Sequence, residues 1–232
     1  MTPVVPFYLL ASCKSWHADS FIRLRQRTDE RWQWVQSPDE LLAVLDGAVP
    51  RYIFFLHWRW RVPESIWREH ECVCFHMTDL PYGRGGSPLQ NLIADGHHET
   101  RLSALRMVEM LDAGPIYLKQ SLSLQGTAEA IYVRAGELGE QMIAEIIARQ
   151  PQVVEQQGEV VLFKRRTPQQ SALPYRGELM QLYDHIRMLD APGYPRAFIE
   201  HGEFRLEFSA VQLEGEQLHA TVVLRRRSEP QE

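Results

Sequence analysis

The densest collection of reactive side-chain types in this chain is the run Cys74-Phe75-His76-Met77-Thr78-Asp79-Leu80-Pro81-Tyr82-Gly83-Arg84-Gly85-Gly86-Ser87-Pro88. Histidine, with an ordinary pKa of about 6.5, is the side chain suited to taking and returning a proton near neutral pH. The glycines do not make a phosphate loop, because neither GxxxxGK[ST] nor GxGxxG is present. A plain strand-to-helix connection, with His76 half-buried and hydrogen-bonded, is the competing reading. A second candidate is His57-Trp58-Arg59-Trp60-Arg61-Val62-Pro63. Flat heterocycles bind between aromatic and apolar walls. Tryptophans packed on a neighbouring helix with snorkelling arginines would look the same. Asp112 falls in an Asp-Ala-Gly sequence that also reads as a turn. Gly96-His97-His98-Glu99 has metal-ligating types, but HExxH is absent and a solvent-facing loop is the expectation.

The elements that must position these residues are written in the apolar pattern. Val4–Ala11, Trp32–Val35, Tyr52–Leu56 and Cys72–Phe75 read as strands. Tyr52–Leu56 and Cys72–Phe75 are near-continuous apolar runs of the sort buried on both faces of a parallel sheet. Helices are expected between them, one capped by Asp19 with Phe21 and Leu24 inward, one entered at Pro38. This order predicts a right-handed, doubly wound, mostly parallel Rossmann-like α/β sheet. Ligands bind beyond the carboxyl ends of such strands, which is where His57 and His76 fall. Leu102–Leu111 and Ile116–Leu124 read as extended, Thr127–Arg149 as the longest helix, and Val160–Phe163 as a last strand. These place a main domain over 1–164. Residues 165–177 are polar with two prolines and read as a linker. Residues 178–232 read as a small α+β appendage, a helix over Leu179–Leu189 and a hairpin over Phe204–Phe208 and Leu218–Leu224.

Composition narrows the classes. Lys and Arg total 25 against 30 Asp and Glu, a formal net charge of −5. That weighs against a chain built to grip nucleic acid. The run Arg225-Arg226-Arg227 is the compact basic cluster, and a solvated strand end explains it as well as a phosphate site does. Three cysteines in a chain of 232 residues point to a reducing compartment, and so to the cytoplasm. No apolar stretch reaches the length of a transmembrane helix, and no signal peptide or membrane partner is expected.

The run from His76 to Pro88, followed by Leu111-Asp112-Ala113-Gly114-Pro115, resembles the core of the folate-dependent formyltransferases. That superfamily carries Asn-x-His-x-Ser-Leu-Leu-Pro, then Arg-Gly and a proline, and later Leu-Asp-x-Gly. The wording Phe75–Leu92 and the tail Ile186-Arg187-Met188-Leu189-Asp190-Ala191-Pro192-Gly193-Tyr194-Pro195 look closest to the sugar N-formyltransferases of bacterial pseudaminic acid biosynthesis. The resemblance implies a formyltransferase sheet and a formyl group moved from 10-formyltetrahydrofolate to an amine, without a metal. By the motif match, His76 is the acid-base group and Asp112 orients it. Cys74 stands where the family has its oxyanion-binding asparagine. A backbone N–H or protonated His76 replaces that asparagine, or Thr78 and Asp79 take part, or catalysis has been lost.

The resemblance also implies contacts to the folate from His57, Trp58, Arg59, Val62, Arg84, Gly86, Ser87 and Leu111. Thr78, Asp79, Tyr82 and Tyr194 are expected on the acceptor side. The implied acceptor is a nucleotide sugar, UDP-4-amino-4,6-dideoxy-N-acetyl-altrosamine, with no nucleic acid partner. Another nucleotide sugar, methionyl-tRNA, a non-catalytic folate or sugar-nucleotide binding module, and a subunit that forms a homodimer through its hairpin are the alternatives.

Overall fold

The computed structural model describes residues 6–14, 17–27 and 30–227. Its elements, in chain order, are β1 (Phe7–Ala11), α1 (Ala18–Arg27), β2 (Arg31–Val35), α2 (Pro38–Leu45), β3 (Tyr52–Phe55), α3 (Glu64–Glu69), β4 (Cys72–His76), β5 (Arg84–Gly85), α4 (Pro88–Ala94), β6 (Glu99–Arg106), β7 (Ile116–Ser123), α5 (Ala128–Arg149), β8 (Leu162–Phe163), α6 (Leu179–Arg187), β9 (Ala197–His201), β10 (Phe204–Glu214) and β11 (Gln217–Arg226). Val4 and Val5, expected to open the first strand, lie outside the described residues. The chain divides into two compact units that interleave along the sequence. One comprises Met1–Gly85, Thr100–Leu122 and Val133–Leu162, the other Gly86–Glu99, Ser123–Tyr132 and Phe163–Glu232.

The first unit carries a six-stranded sheet in the order β2-β1-β3-β4-β6-β7. The pairs β1–β2, β1–β3 and β3–β4 are parallel, and β4–β6 is antiparallel. Alternation along the strands sorts the core into two faces. Leu9, Ala11, Ile53, Phe55 and Cys72 join Val35, Leu41, Val62 and Ile66 in one apolar cluster, which brings α2 and α3 onto that face. Each Val, Leu, Ile or Phe of that cluster withdrawn from water contributes about 1.5–3 kcal/mol. The opposite face receives α5. A Cβ on Gly136 would stand 2.7 Å from His17 Cε1, and one on Gly139 would stand 2.7 Å from Leu56 Cδ1. Those two glycines, one turn apart, let the helix lie close to the sheet. Asp19 sits in the first turn of α1 rather than capping it, and Leu24 is buried as expected.

Two strands are shorter than their apolar runs suggest. β6 stops at Arg106, whose N–H donates to Pro115 O, and residues 107–115 turn instead. β8 covers Leu162–Phe163 alone.

The second unit holds α4, α6 and a three-stranded antiparallel sheet ordered β11-β10-β9. The hairpin turns at Gly215, which has φ +59 and suits the left-handed turn. β9 is not in the sequence reading, because Gly193 and Pro195 just before it suggest only a turn. The stretch 165–177 carries a 3-10 turn over Pro168–Ser171, and Leu173 N–H donates to Phe198 O of β9 at 2.8 Å. Arg187 is buried, with Nη1 donating to Leu124 O at 2.6 Å and Gly126 O at 2.9 Å. In the arginine run, Arg225 pairs with Glu207 at 3.2 Å and Arg227 with Glu200 at 3.3 Å. No helix among the described residues is long and apolar enough to cross a membrane.

Candidate functional site

His76 ends β4, opposite Ser103 of β6, and its ring is buried. Nε2 lies 2.8 Å from Gly83 O. A carbonyl only accepts, so Nε2 carries a proton and donates it. Nδ1 faces Asp112 Oδ2 at 3.5 Å. A neutral imidazole has one N–H, already given to Gly83, so Nδ1 presents a lone pair toward the carboxylate. A second proton on the ring turns that contact into an ion pair. The two groups the sequence sets far apart therefore converge.

Asp112 stands in the left-handed region, φ +54, at the tip of the turn between β6 and β7. Its Oδ2 accepts from Gly85 N–H at 3.0 Å. Gly114, two residues on, tolerates no side chain, since a Cβ would fall 1.8 Å from Arg106 O. The turn is held by a residue the sequence reading omits. Gln156 Nε2 donates to Asp112 O and Gly114 O, both at 2.8 Å. Its Oε1 accepts from Arg84 Nε at 3.1 Å and Arg84 Nη2 at 2.7 Å. Arg84 is thus engaged with an amide, not with Asp79 or Asp112. Nothing in the spacing of Gln156 announces this, because its partners on the turn are backbone carbonyls.

The glycine loop is hydrogen-bonded throughout. Gly83 and Arg84 N–H both donate to Val161 O at 3.0 Å, and Gly86 N–H donates to Phe163 O at 3.1 Å. With Gly85 N–H on Asp112, four successive amides already have acceptors. Cys74, on β4 between Phe55 and Leu105, is half-buried. Burial, then the Asp112 carboxylate and then Cys72, push its thiol well above the ordinary range, so it is an uncharged S–H at neutral pH. The three cysteines are free thiols.

The remaining candidates have partners of their own. Thr78, expected on the acceptor side, is instead fully buried, with Oγ1 3.4 Å from Gly83 O and its own carbonyl accepting from Ser103 Oγ at 2.7 Å. Asp79 is half-exposed and sits in a surface ion cluster, 2.6 Å from Lys119 Nζ and 3.7 Å from Arg101 Nε. Lys119 also donates to Leu80 O. Tyr82 N–H donates to Asp79 O at 3.2 Å.

His57, expected against the folate, turns its Nδ1 to His17 Nε2 at 2.8 Å, with the two rings stacked 5.0 Å apart. Burial pushes both rings down, His17 to about 4 and His57 to about 3. Trp58 is half-buried and packs edge-on to Phe55 at 5.7 Å, and Trp60 meets it at 4.8 Å. Arg59 is exposed, its guanidinium 4.5 Å from the Trp60 ring, and Val62 belongs to the core cluster. Leu111 is 71% exposed.

Three candidates lie in the second unit. A Cβ on Gly86 would meet Arg165 Cβ at 2.5 Å, and Ser87 Oγ accepts from Arg166 N–H at 3.1 Å. Tyr194 N–H donates to Ala191 O at 3.2 Å, and its ring is half-buried. Among the described residues no group of three His, Cys, Asp or Glu could hold a metal ion.

Comparison with known proteins gives this geometry a setting. Residues 168–225 match the model of the methionyl-tRNA formyltransferase C-terminal domain. The methionyl-tRNA formyltransferase of Mesoplasma florum is 27% identical over 150 residues, 62% of this chain and 47% of that protein. This chain thus spans about half the length of the curated relatives it matches. A sugar N-formyltransferase from Shewanella sp. FDAARGOS_354 shares the fold, with a TM-score of 0.65, 14% identity, and coverage of 83% of this chain and 92% of that one. The solved structure of a methionyl-tRNA formyltransferase from Clostridium thermocellum superimposes with a TM-score of 0.91 and 39% identity, covering 96% of this chain and 100% of that one. That identity extends over the whole length of a solved formyltransferase, so this chain belongs to the folate-dependent formyltransferase family.

Proposed function

We propose that this chain transfers a formyl group from 10-formyltetrahydrofolate to a primary amine, and that the amine is the aminoacyl group of methionyl-tRNA. The acceptor reading is carried by the 39% identity to the Clostridium thermocellum methionyl-tRNA formyltransferase, and the family match of residues 168–225 supports it. The charge argument against nucleic acid weakens accordingly. A net charge of −5 is a sum over the whole surface and does not exclude a local basic face.

In this reading His76 Nδ1 receives the proton that the amine loses as it attacks the formyl carbon. Asp112, 3.5 Å away, stabilises the imidazolium that results. The C–N bond to the amine forms, the bond to the folate nitrogen breaks, and the same proton passes from His76 to that nitrogen. The positive charge of protonated His76, rather than a hydrogen bond from it, stabilises charge on the formyl oxygen, because its two N–H groups face Gly83 O and Asp112. The amides of Gly83, Arg84, Gly85 and Gly86 are already committed to other acceptors, and an S–H is a weak donor. Trp58 and Trp60, half-buried beyond the end of β3, offer aromatic surface for the flat pterin. The three free thiols fit a reducing compartment.

A nucleotide-linked amino sugar, with UDP-4-amino-4,6-dideoxy-N-acetyl-altrosamine as first candidate, is the second reading. It is supported by the resemblance of Phe75–Leu92 and of the 186–195 tail to the sugar N-formyltransferases, and by the fold shared with the Shewanella enzyme at a TM-score of 0.65. The decisive experiment offers the purified chain 10-formyltetrahydrofolate with charged initiator tRNA and, separately, a panel of UDP- and dTDP-amino sugars. The products are weighed by mass spectrometry. Formyl-methionyl-tRNA is the expected product. A formylated sugar without formylated tRNA transfers the assignment to the second reading, and no product with any amine overturns both.

A further inference from the structure

The Asp112 turn needs an external hold. Aspartate at φ +54 is in a region that L side chains enter at a cost, and its carboxylate meets His76 only while that backbone persists. Gly114 secures the far side of the turn by its close approach to Arg106 O. The near side is secured by the Gln156 amide, which is hydrogen-bonded on both of its atoms. Two carbonyls can only accept and a guanidinium can only donate, so the partners themselves fix which way the amide points. The segment carrying Gln156 is pinned just upstream. Val154 and Ile116 exchange N–H···O bonds of 2.8 and 2.9 Å. The register of residues 150–161 is thereby tied to the start of β7, and Gln156 arrives under the turn.

We propose that Gln156 is a positioning residue, which acts through Asp112 by clamping the 112–114 turn so that the carboxylate faces His76. The proposal rests on the roles given to His76 and Asp112 above. It assigns no contact between Gln156 and either substrate. Glutamate is the informative replacement, being of the same size. It keeps an acceptor for Arg84 but sets an anionic oxygen against the carbonyls of Asp112 and Gly114.

The test is a double-mutant cycle with a spectroscopic arm. Gln156→Glu should slow turnover about 10- to 100-fold, the scale of a displacement near 1 Å, with KM for the formyl donor moving less than about threefold. In an Asp112→Asn background the same change should cost less than about twofold, because a residue that acts only through Asp112 has nothing left to position. The His76 ring 15N signals should shift in Gln156→Glu as they do in Asp112→Asn. The cycle is repeated with Gln156→Ala, so that a folding defect in one variant does not decide the matter. Equal losses in both backgrounds, unchanged turnover in a folded variant, or unmoved His76 signals each overturn the proposal. If the unmodified chain transfers no formyl group to any acceptor, the functional reading fails, and the His76 signals alone decide the role of Gln156.

Discussion

Two histidine pairs stand beyond the ends of neighbouring strands, and they are built for opposite ends. His76 ends β4 with acceptors on both ring nitrogens, a carbonyl on one side and a carboxylate on the other. Both ring nitrogens therefore face groups that accept hydrogen bonds. His57 follows β3 and faces another imidazole, His17, at 2.8 Å. One ring must donate and the other accept, so that pair is satisfied only when at least one ring is neutral. Burial, with Lys14 adding its positive charge, favours the neutral form of both. Cys13 Sγ donates to the His57 carbonyl at 3.1 Å, and Gly136 leaves room for His17. Position at the sheet edge is common to the two histidines. Their partners, drawn from distant parts of the chain, set them apart, a carbonyl and a carboxylate for one and an imidazole for the other.

The comparison breaks first on the His76 side. His76→Ala and Asp112→Asn should each lower turnover at least about 100-fold, the usual weight of an acid-base group, measured with formyl donor and acceptor at saturation. Near-normal turnover in either variant removes that residue from the chemistry. On the other side, His17→Gln should leave turnover within about threefold and change the response to acid. The sign follows from the lowered titration of both rings. The unfolded chain takes up protons below its ordinary value near 6.5, while the folded pair resists down to about 4 and about 3. The pair's stabilisation is therefore complete above about pH 6.5 and is lost progressively as pH falls through that window. Thermal melts at pH 7 and pH 5 should differ less in His17→Gln than in the unmodified chain, because one titrating ring is gone. An unchanged difference would mean that the pair does not set the acid response. The smallest effect belongs to Cys74, beside the first pair but uncharged. Cys74→Ser should keep turnover within about threefold, since neither a thiol nor a hydroxyl there supplies the main oxyanion donor. A collapse in that variant would restore Cys74 to the mechanism.

Much of the frame is legible in the sequence, for identifiable reasons. Strands β1, β3 and β4 follow near-continuous apolar runs, β2 follows the alternating run Trp32–Val35, and α5 follows apolar positions at steps of three and four. The motif residues His76 and Asp112 are legible through their match to a known pattern, and their convergence follows from strand order. Other features depend on backbone partners and leave no trace in spacing. Gln156 lies in a polar stretch, and its importance comes from the two carbonyls it reaches. The residues after Arg106 are apolar enough to continue a strand, yet Pro115 closes a turn on Arg106 and the apolar Met110 and Leu111 end up exposed. Thr78 is expected on the acceptor side through the resemblance, and its contact with Gly83 O inside the fold has no signal in the sequence. Asp79 is expected on the acceptor side, and its ion-pair neighbours Lys119 and Arg101 are too distant in sequence to be anticipated.

A loop with three glycines among residues 83–86 would ordinarily sample many shapes before a ligand selects one. Here every amide from Gly83 to Gly86 is tethered, one of them to the carboxylate of Asp112. The conformational freedom of that loop is surrendered once, when the chain folds. The ordering cost of these glycines belongs to the folding free energy of the chain.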